Sequence, residues 1–175
     1  MHVVRLSLSN TISILERLSV ERSRTAVHNW VHKADLQPEG GASPNHVALD
    51  ETVIRINDQQ YWLYAALDPE TNSFLHIRLF STYATGLIEI FLSELREKHG
   101  VETAVFLVDD AEWLKTSLDR HGLDCRYERH ANRNAVERIF REVKRRTFLF
   151  SNTFSNVEPT TTESWLQTLA VWWNR

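Results

Sequence analysis

Three segments, "HVALDETVIRI", "YWLYAALD" and "SFLHIRLF", follow one another from His46 with only "NDQQ" and "PETN" between them. They are rich in β-branched and aromatic residues and joined by hairpin-length turns, so they predict an antiparallel meander. The next apolar segment differs. Residues 104–108 form an unbroken apolar run, the pattern of a strand buried on both faces inside a parallel or mixed sheet. Helical patterns lie at about 85–99, before that run, and at 111–121, 133–148 and 162–174 after it, with a short strand in "CRYERH". The order βββαβαβα, a meander extended by parallel strands with helices on its faces, is that of an α/β, ribonuclease H-like mixed sheet. At 175 residues and 42% hydrophobic content, the chain is long enough to bury such a core without staples.

That order brings carboxylates together. Asp109 and Asp110 stand where the buried strand leaves the sheet, and ligands of open α/β sheets bind in the crevice beyond the carboxyl ends of the strands. A surface turn also accommodates Asp at such a place. Asp50 interrupts the first strand on the face that includes Ala48, Thr52 and Ile54, a charge where a core residue is expected. Alone it reads equally as a strand-edge residue paired with an Arg. With the first strand beside the fourth, Asp50 and Asp109 become neighbours, and two like charges so placed call for a cation between them. Asp109 rather than Asp110 is the expected member because it continues directly from the strand. A third carboxylate is expected from "NRNAVERIFREVKRRT". There Val136, Ile139, Phe140 and Val143 form a buried stripe, and Glu137, Arg141 and Lys144 lie along its margin. A solvated charged face is the alternative for that margin.

The first 34 residues have a different character. Two short helices are expected, the first capped by Ser9 with Ile12, Leu15 and Leu18 as its apolar stripe, the second at about 23–33 with Val27, Trp30 and Val31 inward. Arg24, His28 and Asn29 then face outward, as in a helix-turn-helix whose second helix enters a major groove. A plain αα-hairpin is the alternative. The segment "DLQPEGGASPN" holds two of the four prolines and two of the five glycines. It reads as a linker over 35–45, between a helical pair at 1–34 and a catalytic domain at 46–175.

Net charge is −3, but its distribution is uneven. Residues 126–146 carry eight Lys/Arg against three Glu, a local +5, and residues 1–34 carry five against two, a local +3. Two basic patches on an acidic body suit local binding of a polyanion. The single cysteine, Cys125, rules out an intrachain disulfide and fits a reducing cytoplasm or indifference to redox. No apolar run approaches the roughly 18 residues of a membrane span, and no Cys/His cluster has zinc spacing.

The segments "ALDETVIRI", "YWLYAALDPET", "VFLVDDAEWL", "RNAVERIFREVKRRT" and "ESWLQTLAVWWN" together resemble the transposases of the insertion sequence six family, within the acid-triad (DDE) transposase and retroviral integrase superfamily. The resemblance implies a ribonuclease H-like catalytic domain with Asp50, Asp109 and Glu137 as triad and metal ligands. Lys144, seven residues after Glu137, fits the basic position that follows the family's glutamate. It implies two Mg²⁺ or Mn²⁺ ions, hard cations that suit oxygen ligands, and DNA cleavage and strand transfer at insertion-sequence ends. Arg141, Lys144 and Arg145 would meet phosphates near the cut, and Arg24, His28 and Asn29 would meet the terminal inverted repeats. Pairing two DNA ends with target DNA implies a homodimer or larger assembly on double-stranded DNA. A truncated DNA-binding remnant, or another ribonuclease H-like nuclease, would share the same residues. For the last helix, packing on the sheet is expected from Trp165, Leu169 and Trp172 on one face, with Leu166 and Trp173 beside it.

Overall fold

The computed structural model describes residues 8–33, 36–109, 111–127, 137–138, 141, 153–154 and 157–175. Its elements, in order, are α1 (Leu8–Arg17), α2 (Arg24–Lys33), β1 (His46–Ile56), β2 (Gln59–Asp68), β3 (Ser73–Phe80), α3 (Thr85–Lys98), β4 (Val105–Val108), α4 (Glu112–Arg120), β5 (Cys125–Tyr127), β6 (Thr153–Phe154) and α5 (Pro159–Trp173). One mixed sheet has the order β3-β2-β1-β4-β5, and β6 pairs with β1 off that path. This is the expected ribonuclease H-like order.

The meander is antiparallel, with Asp50 opposite Ala65 and Ala65 opposite Ile77. Its first turn is two residues long, Asn57 and Asp58, both with positive φ (49° and 66°). That conformation matches the twist of a tight hairpin, and Asn and Asp tolerate it better than most residues. β4 and β5 then extend the sheet with parallel pairing to β1 and to each other.

Two cores cover the two faces. Ala48, Ile54, Leu107 and the α5 residues Leu166, Leu169 and Ala170 form one. Val47, Leu49, Phe106 and Val108 pack with Ile88, Phe91, Leu92 and Leu95 of α3 and Leu114 and Leu118 of α4 in the other. Strands β1 and β4 contribute to both, which explains the unbroken apolar run of β4.

In the helical pair, α1 already includes Ser9, so Ser9 is not the cap expected from the sequence. Ser23 does cap α2, accepting a hydrogen bond from Ala26 N at 3.1 Å. The α1–α2 turn has no glycine, and Ser19 takes the left-handed position at φ 58°. Ser19 N donates to Glu16 O and Val20 N to Leu15 O, the paired bonds of a Schellman motif. Val27 is buried as expected, but Trp30 is half exposed with the Arg22 guanidinium 5.5 Å from its ring.

The segment at 36–45 is bonded to the sheet domain along its length. Gly41 N donates to Lys98 O at 2.7 Å, Ala42 N to His99 Nδ1 at 3.2 Å, and Lys98 Nζ to Gln37 Oε1 at 2.8 Å. Gly40 passes so close that an added Cβ would lie 2.8 Å from Lys98 O. Helix α5 starts earlier than expected, with Pro159 in its first turn. Its buried face is Thr162, Leu166, Leu169 and Ala170, which leaves Trp172 exposed. The expected face is therefore rotated, because Trp173 packs edge-on against Phe74 and donates its indole N–H to Asn72 O.

Candidate active site

The crevice follows from unequal strand lengths. β1 pairs with β4 only through His46↔Val105, Val47↔Phe106 and Ala48↔Leu107. β6 joins β1 only at Arg55↔Thr153 and Ile56↔Phe154. As β2 occupies the other edge of β1, no described strand pairs with this edge over 49–54, between β4 and β6. The β1–β4 pairing ends at Ala48↔Leu107, two residues before Asp50 on β1 and two before Asp109 beyond β4. Ala48 and Leu107, two residues earlier on each strand, lie in the same core cluster, so the alternation of side chains carries Asp50 to that face of the sheet.

Both acids are half-buried. Each is oriented by a backbone N–H: Asp50 Oδ1 accepts from Glu51 N at 2.9 Å, and Asp109 Oδ1 accepts from Ala111 N at 3.0 Å. The second bond ties Asp109 to the start of α4, whose N-cap is Ala111. Asp110 lies outside the described residues.

Glu137 is helical and exposed. The next residue, Arg138, donates to Asn72 Oδ1 at 2.7 Å in the β2–β3 turn. Among the described residues no three His, Cys, Asp or Glu side chains are grouped so as to hold a metal ion. Strand order thus puts Asp50 on β1 and Asp109 just past the end of its parallel neighbour β4. Arg141 is helical and exposed, whereas Lys144 and Arg145 lie outside the described residues. Arg24, His28 and Asn29 are exposed on α2.

Residues that the sequence did not single out gather on the α3 and α4 side of the sheet. Trp62, Tyr83 and Trp113 form an aromatic cluster, with ring centroids 5.9 Å apart for Trp62–Tyr83 and 5.5 Å for Tyr83–Trp113. They come from three separate elements and share no sequence motif. The donor chemistry of the acid pair fits a hard divalent cation: it offers carboxylate oxygens only, on adjacent strands, with partial exposure that leaves room for water ligands. Asp50 and Asp109 are the residues that would hold it. No described helix is long and apolar enough to cross a membrane.

No protein-family profile matches the chain. An uncharacterized protein of Methanocaldococcus jannaschii is 27% identical over 164 residues, covering 93% of this chain and 75% of that one. The catalytic core domain of BIV integrase superposes with a TM-score of 0.50 at 13% identity, covering 71% of this chain and 80% of the core. A chain of the simian T-cell lymphotropic virus intasome superposes with a TM-score of 0.51 at 15% identity, covering 86% of this chain and 57% of that one. The chain therefore has the integrase-core, ribonuclease H-like fold: a mixed sheet of order 3-2-1-4-5 flanked by helices, with a small helical pair ahead of it.

Proposed function

We propose that the chain is a DNA transposase of the insertion sequence six type, a metal-dependent polynucleotidyl transferase that cuts DNA at the ends of an insertion sequence and joins them to target DNA. The observation that carries this reading is the parallel pairing of β1 with β4, which ends two residues before Asp50 on one strand and two residues before Asp109 on the other. The fold shared with integrase cores supports it, as do the basic segments at 1–34 and 126–146.

In this reading Asp50 and Asp109 hold a divalent cation, Mg²⁺ or Mn²⁺, and Glu137 completes the set for a second. When bound, such ions supply Lewis-acid stabilisation for in-line phosphoryl displacement by water or a DNA 3′-hydroxyl. The chain's own residues position the reactants. The backbone bonds from Glu51 N and Ala111 N fix two carboxylates before substrate arrives, so little reorganisation is left for the reacting complex. Arg141, Lys144 and Arg145 neutralise phosphates beside the cut, which gives affinity without sequence information. Arg24, His28 and Asn29 of α2 read the terminal repeats, and the DNA-bound form is a dimer or larger because two ends react together.

The test is Asp50→Asn, which keeps the side-chain shape and the acceptor oxygen. It should preserve folding and DNA binding while abolishing cleavage and strand transfer of terminal-repeat oligonucleotides in Mg²⁺ or Mn²⁺. Near-normal strand transfer by this variant removes Asp50 from the site. Binding without metal-dependent cleavage by the unmodified protein identifies a DNA-binding remnant, and cutting without joining identifies a nuclease.

A further inference from the structure

The segment 36–45 straps the end of α3, and one of its fastenings is a titratable ring. Pro38 and Pro44 are buried. Gly41 N donates to Lys98 O at 2.7 Å and Gly100 N donates to Ala42 O at 2.9 Å. The fit is close, since a Cβ on Gly100 would lie 2.9 Å from Ser43 Oγ. Two more bonds run through side chains of α3 and its cap: Lys98 Nζ donates to Gln37 Oε1 at 2.8 Å, and Ala42 N donates to His99 Nδ1 at 3.2 Å.

The last of these bonds fixes the protonation state of the ring. His99, the C-cap of α3, is 3% exposed, and its Nε2 lies 2.9 Å from Leu75 O. A carbonyl only accepts, so Nε2 carries the hydrogen; a backbone N–H only donates, so Nδ1 carries none. A proton added at Nδ1 would face the Ala42 N–H, donor against donor. The charged groups nearby give that proton no partner. Lys98 adjoins the ring on α3, and β3 brings His76 and Arg78, which both turn to Glu94, at 2.8 and 3.4 Å. Glu39, the one charged residue of the strap, is exposed. Burial lowers the His99 pKa, the Leu75 carbonyl raises it by less, and Lys98 lowers it further, so it lies below its ordinary value.

We propose that His99 is a proton-operated latch on the 36–45 strap, closed when the ring is neutral and opened when the ring is charged. The strap lies between α2 and β1 in the chain. Opening it therefore adds ten residues, up to about 33 Å of extended backbone, to the tether between the helical pair and the sheet. The direction follows from linkage. A released ring returns to water and titrates near 6.5, whereas the docked ring resists the proton. Docking is at full strength above that pH and weakens as pH falls through it, by up to about ten-fold in equilibrium constant per pH unit.

The experiment is amide hydrogen exchange on the full chain at pH 7.5, 6.5 and 5.5, each rate expressed as a protection factor against the intrinsic rate at that pH. Gly41 and Ala42 should be less protected than the amides of β2 at every pH, because the strap opens without the sheet. Their protection should fall about ten-fold between pH 7.5 and 5.5. His99→Gln can donate to Leu75 O and accept from Ala42 N but binds no proton. Its protection at these two amides should change by less than about two-fold over the same range, whatever its level at pH 7.5. His76→Gln, which removes the neighbouring imidazole, should keep the ten-fold fall. A fall that persists in His99→Gln, a fall abolished by His76→Gln, or strap protection that equals that of β2 overturns the latch. Should His99→Gln not fold, the ring nitrogen shifts of His99 in the unmodified protein take its place: hydrogen on Nε2 alone at pH 7.5 supports the latch, and hydrogen on Nδ1 overturns it.

Discussion

In the transposase reading Asp109 serves two purposes that substitution can separate. Its carboxylate holds the cation with Asp50, and its Oδ1 also accepts the Ala111 N–H that opens α4. Asp109→Ala should therefore abolish cleavage and also lower unfolding stability by about 0.5–1.5 kcal/mol, as measured by denaturant titration. Asp109→Asn keeps the acceptor oxygen, so it should be equally inactive at near-normal stability. An inactive and destabilised Asn variant would mean that the charge, not the hydrogen bond, holds the turn. His76 offers a second test at this scale. It is buried, its Nε2–H donates to Glu94 Oε2 at 2.8 Å, and its Nδ1 accepts from Lys98 Nζ at 3.4 Å. Those two partners suit the neutral ring. Burial first, then Lys98, Arg78 and His99, lowers its pKa to about 3. Between pH 6.5 and 5 the unfolded chain therefore binds a proton at His76 that the folded chain refuses. Stability should fall with acidification there, with a slope of up to about 1.4 kcal/mol per pH unit from this group. His76→Gln should flatten that limb, and an unchanged slope would place the titrating group elsewhere.

The 36–45 segment gives the sharpest prediction at the scale of elements. Glycines and prolines made it read as a spacer, yet it docks on the end of α3. The docking depends on Gly40, where a Cβ would meet Lys98 O at 2.8 Å, a backbone atom that cannot swing aside. Gly40→Ala should cost about 1–3 kcal/mol and raise amide exchange at Gly41 and Ala42, whose N–H groups bond Lys98 O and His99 Nδ1. Unaltered exchange at those two amides would show that the segment accommodates the methyl group without leaving α3. Composition reports the backbone freedom of such a segment but not the surface that receives it, and for that reason the docking was not legible. The strands were. β1 and β3 coincide with the segments read from the sequence, because each is bounded by turn residues. β6, two residues long, has no periodicity to read. The site divides the same way. Strand order was legible enough to put the strands of Asp50 and Asp109 side by side, whereas Trp62, Tyr83 and Trp113 converge only through tertiary packing and carry no local signal.

Across the whole molecule, positive charge is concentrated in two segments. With +5 over 126–146 and +3 over 1–34, the rest of the chain carries −11, seven Lys/Arg against eighteen Asp/Glu. Such a chain should bind DNA only where the basic segments reach it, and the acidic remainder should oppose wrapping. Affinity then depends on a small number of phosphate contacts, each releasing counterions, so log Kd should rise linearly with log salt concentration. Replacing Lys144 and Arg145 together by Ala should reduce the magnitude of that slope by about 2, uniformly across DNA sequences. Replacing Asn29 by Ala should leave the slope unchanged, since a neutral side chain releases no counterion, and should weaken binding only to terminal-repeat DNA if α2 reads the repeats as proposed. The two effects are measured by anisotropy titrations at several salt concentrations on terminal-repeat and unrelated duplexes. A sequence-independent loss for Asn29→Ala would remove α2 from repeat recognition, and an unchanged slope for the double variant would remove the 126–146 segment from the phosphate path.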